Sequence, residues 1–237
     1  MSAKPNFRAL IAPVVLLSVA LPCAAEADQT TSRWETALAD TKPIFNARLR
    51  YEGVEQEGLP EDASALTYRF RAGFETGKIF DTALLVEFDH IDDLIDDFNS
   101  TINGKTGYPV VADPNATELN RFQLTNTSLP DTIITLGRQR IGLDDARFVG
   151  NVGWRQNEQT FDGARVQNSS LGELKVDFTY IAQINRIFGD DSAVGRWDGD
   201  SYLLNHRDRK ARIHSLLRYP VRLWLQFPGL LGRLLSR

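Results

Sequence analysis

The sequence predicts an all-β protein, an antiparallel transmembrane β-barrel wall, and three observations predict it. Apolar and polar residues alternate with period two through successive segments. Short and long connections between those segments alternate without exception, and aromatic residues stand near both ends of the leading apolar faces. Alternation of this period is the strand signal rather than the helix one. Short turns on one side and long loops on the other are the habit of outer-membrane barrels rather than of soluble sandwiches.

The chain opens with an export signal. Lys4 and Arg8 precede an apolar run over residues 9–21, and small residues follow at Ala24, Ala25 and Ala27. Charged n-region, apolar h-region and small-residue site predict a leader over 1–27, cleaved before Asp28. A membrane-anchoring helix would need about 20 apolar residues, and this run is shorter and broken by Pro13. A lipoprotein signal is disfavoured because Pro22 stands where a small residue should precede Cys23. Cys23 is the only cysteine and leaves with the leader, so the mature chain has no disulfide, thiolate ligand or cysteine nucleophile. Residues 28–42 are expected to form a periplasmic N-terminal segment.

The strands follow over 43–205. In the first, Phe45, Ala47, Leu49 and Tyr51 share one parity, and Asn46, Arg48, Arg50 and Glu52 share the other. In the second, Leu66, Tyr68, Phe70, Ala72 and Phe74 interleave with Thr67, Arg69, Arg71, Gly73 and Glu75. The third sets Phe80, Leu84, Val86 and Phe88 against Asp81, Glu87 and Asp89. Shorter candidates occupy 119–127, 131–139 and 161–167, and 173–185 alternates throughout. Connections 76–78, 128–131 and 168–172 are short, while 54–64, 91–118 and 140–160 are long. With the N-terminus periplasmic, the short turns fall on the periplasmic side.

The aromatic pairs Phe45 and Tyr51, Tyr68 and Phe74, and Phe80 and Phe88 lie six to eight residues apart. At roughly 3.3 Å rise they are about 20–27 Å apart along the strand. That matches an apolar band of about 25 Å between aromatic girdles. The alternative that alternation leaves open is a soluble sandwich with an aromatic core. For the barrel, the apolar face meets lipid and the arginines line a wet lumen, because hydrocarbon tolerates β structure only as a closed sheet.

The lumen parity collects a basic ladder. Symmetric pairing across loop 54–64 sets Arg50 opposite Arg69 and Arg48 opposite Arg71. Like charges directly opposite destabilise a sheet, and clustered in a lumen they raise the local concentration of anions. Pairing across turn 76–78 sets Arg69 diagonally near Glu87, which leaves open that the arginines are satisfied by lumen carboxylates instead. Arg121, Arg165 and Lys175 share lumen parity, so the expected pore lining is Arg48, Arg50, Arg69, Arg71, Glu87, Arg121, Arg165 and Lys175. Arg138 has lipid-facing parity unless Gly137 marks a bulge.

Little points to catalysis or metal. The acidic residues Asp92, Asp93, Asp96 and Asp97 open the longest loop and offer hard oxygen ligands for calcium. They lack the spacing of an EF-hand, so a solvated loop is the expectation, and the same holds for Asp144–Asp145 and Asp190–Asp191. The histidines are His90, His206 and His214, and no nucleophile elbow, phosphate loop or metal-ligand pair appears. Asp81 and Glu87 could be imagined as a glycosidase dyad, but a single sequence cannot place them together. No enzyme activity, cofactor, metal or nucleic-acid partner is expected.

Within "TLGRQRIGLDDARFVGNVGWRQNEQTFDGARV", residues 135–166, the chain resembles the alginate-export family of outer-membrane β-barrels. The likeness rests on a Leu-Gly-Arg-Gln strand end, a long loop containing Trp154-Arg155-Gln156, and re-entry at Phe161-Asp162-Gly163, and it extends over roughly residues 43–205. It implies about eighteen antiparallel strands around an arginine-rich pore that passes an anionic polyuronate by passive diffusion. The chain departs from that pattern with seven candidate strands and a C-terminus, Leu234-Leu235-Ser236-Arg237, without the terminal aromatic read by the barrel assembly machinery. Between Asp28 and Asn205 there are 17 basic and 29 acidic residues, whereas 206–237 holds eight basic residues against Asp208 alone. Alternation stops at the same boundary, and Pro220 and Pro228 oppose a long amphipathic helix there. A truncated or frame-shifted N-terminal portion of a larger barrel is expected, the rival being a small barrel with an eighth strand. The functional expectation is an outer-membrane, porin-like channel for anionic solutes, with lipid and the assembly machinery as partners. The alternatives are a non-conducting structural or sensory outer-membrane protein, a fragment without function, and a soluble periplasmic binding module.

Overall fold

The computed structural model of the protein describes residues 25–172, 174–208 and 223–226. A helix, α1 (Ala25–Ala39), is followed by β1 (Lys42–Val54), β2 (Ala63–Glu75), β3 (Thr82–Asp97), β4 (Ala116–Asn126), β5 (Thr132–Gln139), β6 (Thr160–Leu171), β7 (Leu174–Asn185), β8 (Arg196–Asp208) and a short β9 (Leu223–Gln226). The strands form one sheet in chain order, each antiparallel to the next. Among the described residues no ladder joins β1 to β9. No described helix is long and apolar enough to cross a membrane, which says nothing of strands. Residues 1–24 of the expected leader, and 209–222 and 227–237 of the basic tail, lie outside the described residues.

The all-β antiparallel expectation holds, and the alternation of connections continues. Short connections at 76–81 and 127–131 and around Gly172 lie at one end, and 55–62, 98–115, 140–159 and 186–195 at the other. Two elements are additional to those expected, apart from β9. Helix α1 begins within the last residues of the expected leader and occupies most of the expected N-terminal segment 28–42, for which the sequence predicts no element. Strand β8 crosses the expected boundary at 206 and pairs with β7 from Asn185↔Arg196 to Leu174↔Asp208.

The sheet is inverted with respect to a soluble protein. Its outer face carries Phe45 (71% exposed), Leu49 (64%), Tyr51, Phe70, Phe88, Phe122, Leu136 and Phe178 in the open, while Thr67, Arg69, Arg71, Glu87, Asp89, Thr135, Gln139 and Thr179 are buried on the other. Loops 98–115 and 140–159 fold over that polar face. Two small apolar clusters seat them, one of Phe98 and Val111 on Ala63 and Ala65, the other of Ile141, Leu143 and Val149 on Phe161, Ile181 and Leu203.

Three expectations of position are corrected. Strand β3 begins at Thr82 rather than Phe80, because Phe80 and Asp81 take positive φ in a turn closed by the Ile79↔Thr82 bridge. It also runs on to Asp97, so Asp92, Asp93, Asp96 and Asp97 belong to a strand instead of opening a loop. A bulge at Leu94, between Leu66↔Ile95 and Thr67↔Asp93, breaks the alternation that would have revealed this. Finally, β1 and β2 pair as Arg48↔Arg69, Asn46↔Arg71 and Arg50↔Thr67, two residues from the expected register. A shift of two preserves parity, so each arginine keeps its face and only its partner changes.

Candidate functional site

The covered polar face is built by β1 to β4 from below and by the two loops from above. Its centre is Glu87, 1% exposed. Arg121 grips it through Nε (3.0 Å) and Nη2 (2.5 Å), Arg140 donates to Oε1 at 2.7 Å, and Arg71 Nε lies at 3.4 Å. Asn120 also donates to Glu87 Oε1, at 2.7 Å. Asn120 and Arg121 both reach it because β4 bulges at Asn120, between Glu87↔Arg121 and Phe88↔Leu119, turning two consecutive side chains to one face. The pairing expected between Arg69 and Glu87 is not formed. The later start of β3 brings Gly73 opposite Glu87 and Arg71 opposite Asp89, and Arg71 makes a bidentate pair with Asp89 at 2.6 Å per bond.

Loop residues complete this network. Glu158 meets Arg71 Nη2 at 2.9 Å, Arg140, Asn120 at 2.6 Å and Asn151 at 2.9 Å. Burial pushes its carboxyl up, but the hydrogen bond from Arg140 and the positive charges of Arg71 and Arg140 outweigh that and hold it below the ordinary glutamate range. Asp113, fully buried on the other loop, accepts from Arg50 at 2.7 Å and from the Gln156 N–H at 2.8 Å. Gln156, equally buried, donates Nε2 to Thr67 O (3.0 Å) and Oγ1 (2.9 Å), accepts Arg48 Nε at 2.9 Å on Oε1, and accepts Arg69 Nη1 at 3.3 Å on its carbonyl. The loops are thereby tied to each other and to the sheet.

Arg48 and Arg69 stand apart in electrostatic terms. They are direct register partners, and among the described residues neither has a carboxylate within salt-bridge distance. Arg48 spends its donors on Gln156 and the carbonyls of Gly153, Trp154 and Arg155. Arg69, 6% exposed, donates to Asn46 Oδ1 and Gln156 O, and its buried Nε has no partner. These two adjacent cations are held by neutral acceptors, whereas the neighbouring Arg50, Arg71, Arg121, Arg140 and Arg155 each meet a carboxylate. Beside them Trp154 is exposed, with the Arg155 and Arg50 guanidinium groups 4.2 and 5.3 Å from its ring centroid.

No protein-family model and no curated protein matches the chain. Among solved structures, it is similar to Pseudomonas aeruginosa OpdQ. That likeness has a TM-score of 0.42 at 12% identity, over 73% of this chain and 46% of the other, so the chain spans less than half the length of that protein.

Six of the eight expected lining residues, Arg48, Arg50, Arg69, Arg71, Glu87 and Arg121, are therefore brought together beneath the loops. Arg165 and Lys175 are not among them. Arg165 is bound bidentately to Asp177 (2.9 and 2.5 Å), and with Lys175 and Asp177 it lines a separate cavity of 540 Å³ near Asp144 and Asn168. Arg138 keeps the register of Phe122 on the outer face, since the β4–β5 and β5–β6 ladders pass Gly137 unshifted, and Asp162 neutralises it at 2.8 Å. The participants that sequence reasoning missed are Asp113, Asn120, Arg140, Arg155, Gln156 and Glu158. Four lie in loops and one in a bulge, where parity carries no information, and Arg140 directly follows β5. The sole signal was the Trp154-Arg155-Gln156 motif.

Proposed function

We propose that the chain forms the wall of an outer-membrane, porin-like channel for passive diffusion of anionic solutes. The inverted sheet carries the reading: large apolar and aromatic side chains are uncovered on one face while arginines and carboxylates are buried on the other. An exposed apolar face of this extent in water would be a liability, and in lipid it is the required surface. The anionic preference rests on Arg48 and Arg69, which no described carboxylate meets within salt-bridge distance. An alginate-type polyuronate is the finer candidate and rests on the resemblance of residues 135–166.

Planar-bilayer recording with the full chain tests the reading. An ohmic, anion-selective conductance whose selectivity falls in Arg48→Ala and Arg69→Ala supports it, and reduction of current by oligouronate but not by a neutral oligosaccharide supports the finer candidate. A second reading, a non-conducting outer-membrane protein, is favoured by the loops that fill the polar face through Asp113, Gln156 and Glu158. It predicts a silent bilayer despite membrane insertion. A soluble periplasmic module predicts instead that the processed chain is monomeric in detergent-free buffer.

A further inference from the structure

Helix α1 is fixed at the short-turn end of the wall by a narrow contact. The Gly77 N–H donates to Ala37 O at 3.0 Å, and Ala37 is buried against Gly77 so closely that a Cβ there would stand 2.8 Å from the Ala37 Cα. Arg33, one turn earlier, lays its guanidinium 5.2 Å from the ring centroid of Phe80, in the same turn. The other large apolar side chains of the helix, Trp34 (53% exposed) and Leu38 (70%), are uncovered. At i and i+4 they form one patch. Arg33, Glu35 and Thr36 are exposed as well, so Ala37 is the one side chain over residues 31–39 that the protein buries. A helix of this length is marginal in water on its own, and that contact is little to hold it.

The helix lies at the end of the wall where Arg33 stacks on Phe80 of the β2–β3 turn. Phe45, Phe74 and Phe80 are exposed aromatics at this same end of β1, β2 and the β2–β3 turn, where an aromatic girdle would meet the membrane surface. Trp34 has the amphipathic ring enriched at that depth, and a helix with an apolar pair on one side and charged residues around it suits an interface rather than a span.

We infer that α1 is an interfacial anchor: Trp34 and Leu38 dock into the phospholipid surface at the periplasmic rim of the wall, extending the girdle begun by Phe45, Phe74 and Phe80. This rests on the membrane reading of the sheet, and the test separates the two. In a Cys23→Ser background, single variants Leu38→Cys, Trp34→Cys, Glu35→Cys and Leu49→Cys of the full chain are labelled with an environment-sensitive fluorophore. Each is reconstituted into phosphatidylethanolamine/phosphatidylglycerol vesicles with and without brominated acyl chains. Labels at Leu38, Trp34 and Leu49 are expected to lose emission to bromolipid and resist aqueous iodide, while the Glu35 label behaves oppositely. Quenching by bromolipid at Leu49 with iodide access at Leu38 and Trp34 overturns the anchor and leaves the membrane wall standing. Protection at Leu38 and Trp34 from both quenchers means a protein surface covers the patch, a second copy or another chain, and also overturns it. Absence of bromolipid quenching at Leu49 removes the membrane reading and the anchor together.

Discussion

At the scale of single residues, the buried network makes its carboxylates the most consequential positions. Glu87 serves Arg71, Arg121 and Arg140 at once. Removing one partner of a buried ion pair leaves an uncompensated charge, at a cost of about 3–5 kcal/mol, so Glu87→Ala should lower the thermal transition of the refolded protein far more than a change at exposed Glu75. Glu158 makes the network sensitive to acid. Its folded carboxyl titrates below the ordinary range, so the folded state binds fewer protons than the unfolded one between those two values. The stabilisation is full above the unfolded carboxylate range and is lost as pH falls through the lower, folded value. Loop 140–159 should therefore stay seated through mildly acidic pH and release below it, read as increased proteolysis within the loop, and Glu158→Gln should remove that acid-dependent step. Arg48 and Arg69, by contrast, are held by neutral acceptors, and their replacement should alter ion selectivity more than stability.

At the scale of elements, small backbone irregularities decide which side chains meet. The bulge at Asn120 gives Glu87 a second donor from the same strand, and the turn at 76–81 sets the β2–β3 register that makes Arg71 rather than Arg69 the partner of Glu87 and Asp89. Gly137 and Gly163 are direct register partners in the β5–β6 ladder. Gly137 holds φ of 101°, and a Cβ on it would stand 2.3 Å from Phe122 O. Gly137→Ala forces an L side chain into that region and into the β4 backbone, at a cost of about 1–3 kcal/mol for the conformation alone. A lowered unfolding midpoint in denaturant titration of the detergent-folded chain checks this, and an unchanged midpoint would mean the ladder shifts register freely. Strand alternation, the signal that located β1, β2 and most of β7, has no purchase on such positions, because each bulge or turn residue resets the parity.

At the scale of the whole molecule, the inversion of the sheet is the property on which the proposed function rests. If lipid covers the Phe45, Leu49 and Tyr51 side, a charge there is expensive: Leu49→Arg should destabilise the membrane-folded state by about 2–4 kcal/mol if it sits near the midplane. Thr67→Arg on the opposite face would test loop packing instead. Comparing the two in vesicle-based folding equilibria separates a lipid-facing wall from a sheet awaiting a second protein layer. The sequence by itself determined the existence of the strands over 43–185, their antiparallel order, the alternation of short and long connections and the face of the strand arginines Arg48, Arg50, Arg69, Arg71 and Arg121, because period-two patterning and turn composition are local properties of the chain. Which face is covered, and by what, only the tertiary structure decided. Loops 98–115 and 140–159 return across the polar face through contacts such as Arg50 to Asp113 and Arg48 to Gln156, between residues far apart in the chain. No local pattern encodes a partner that loop closure alone brings within reach.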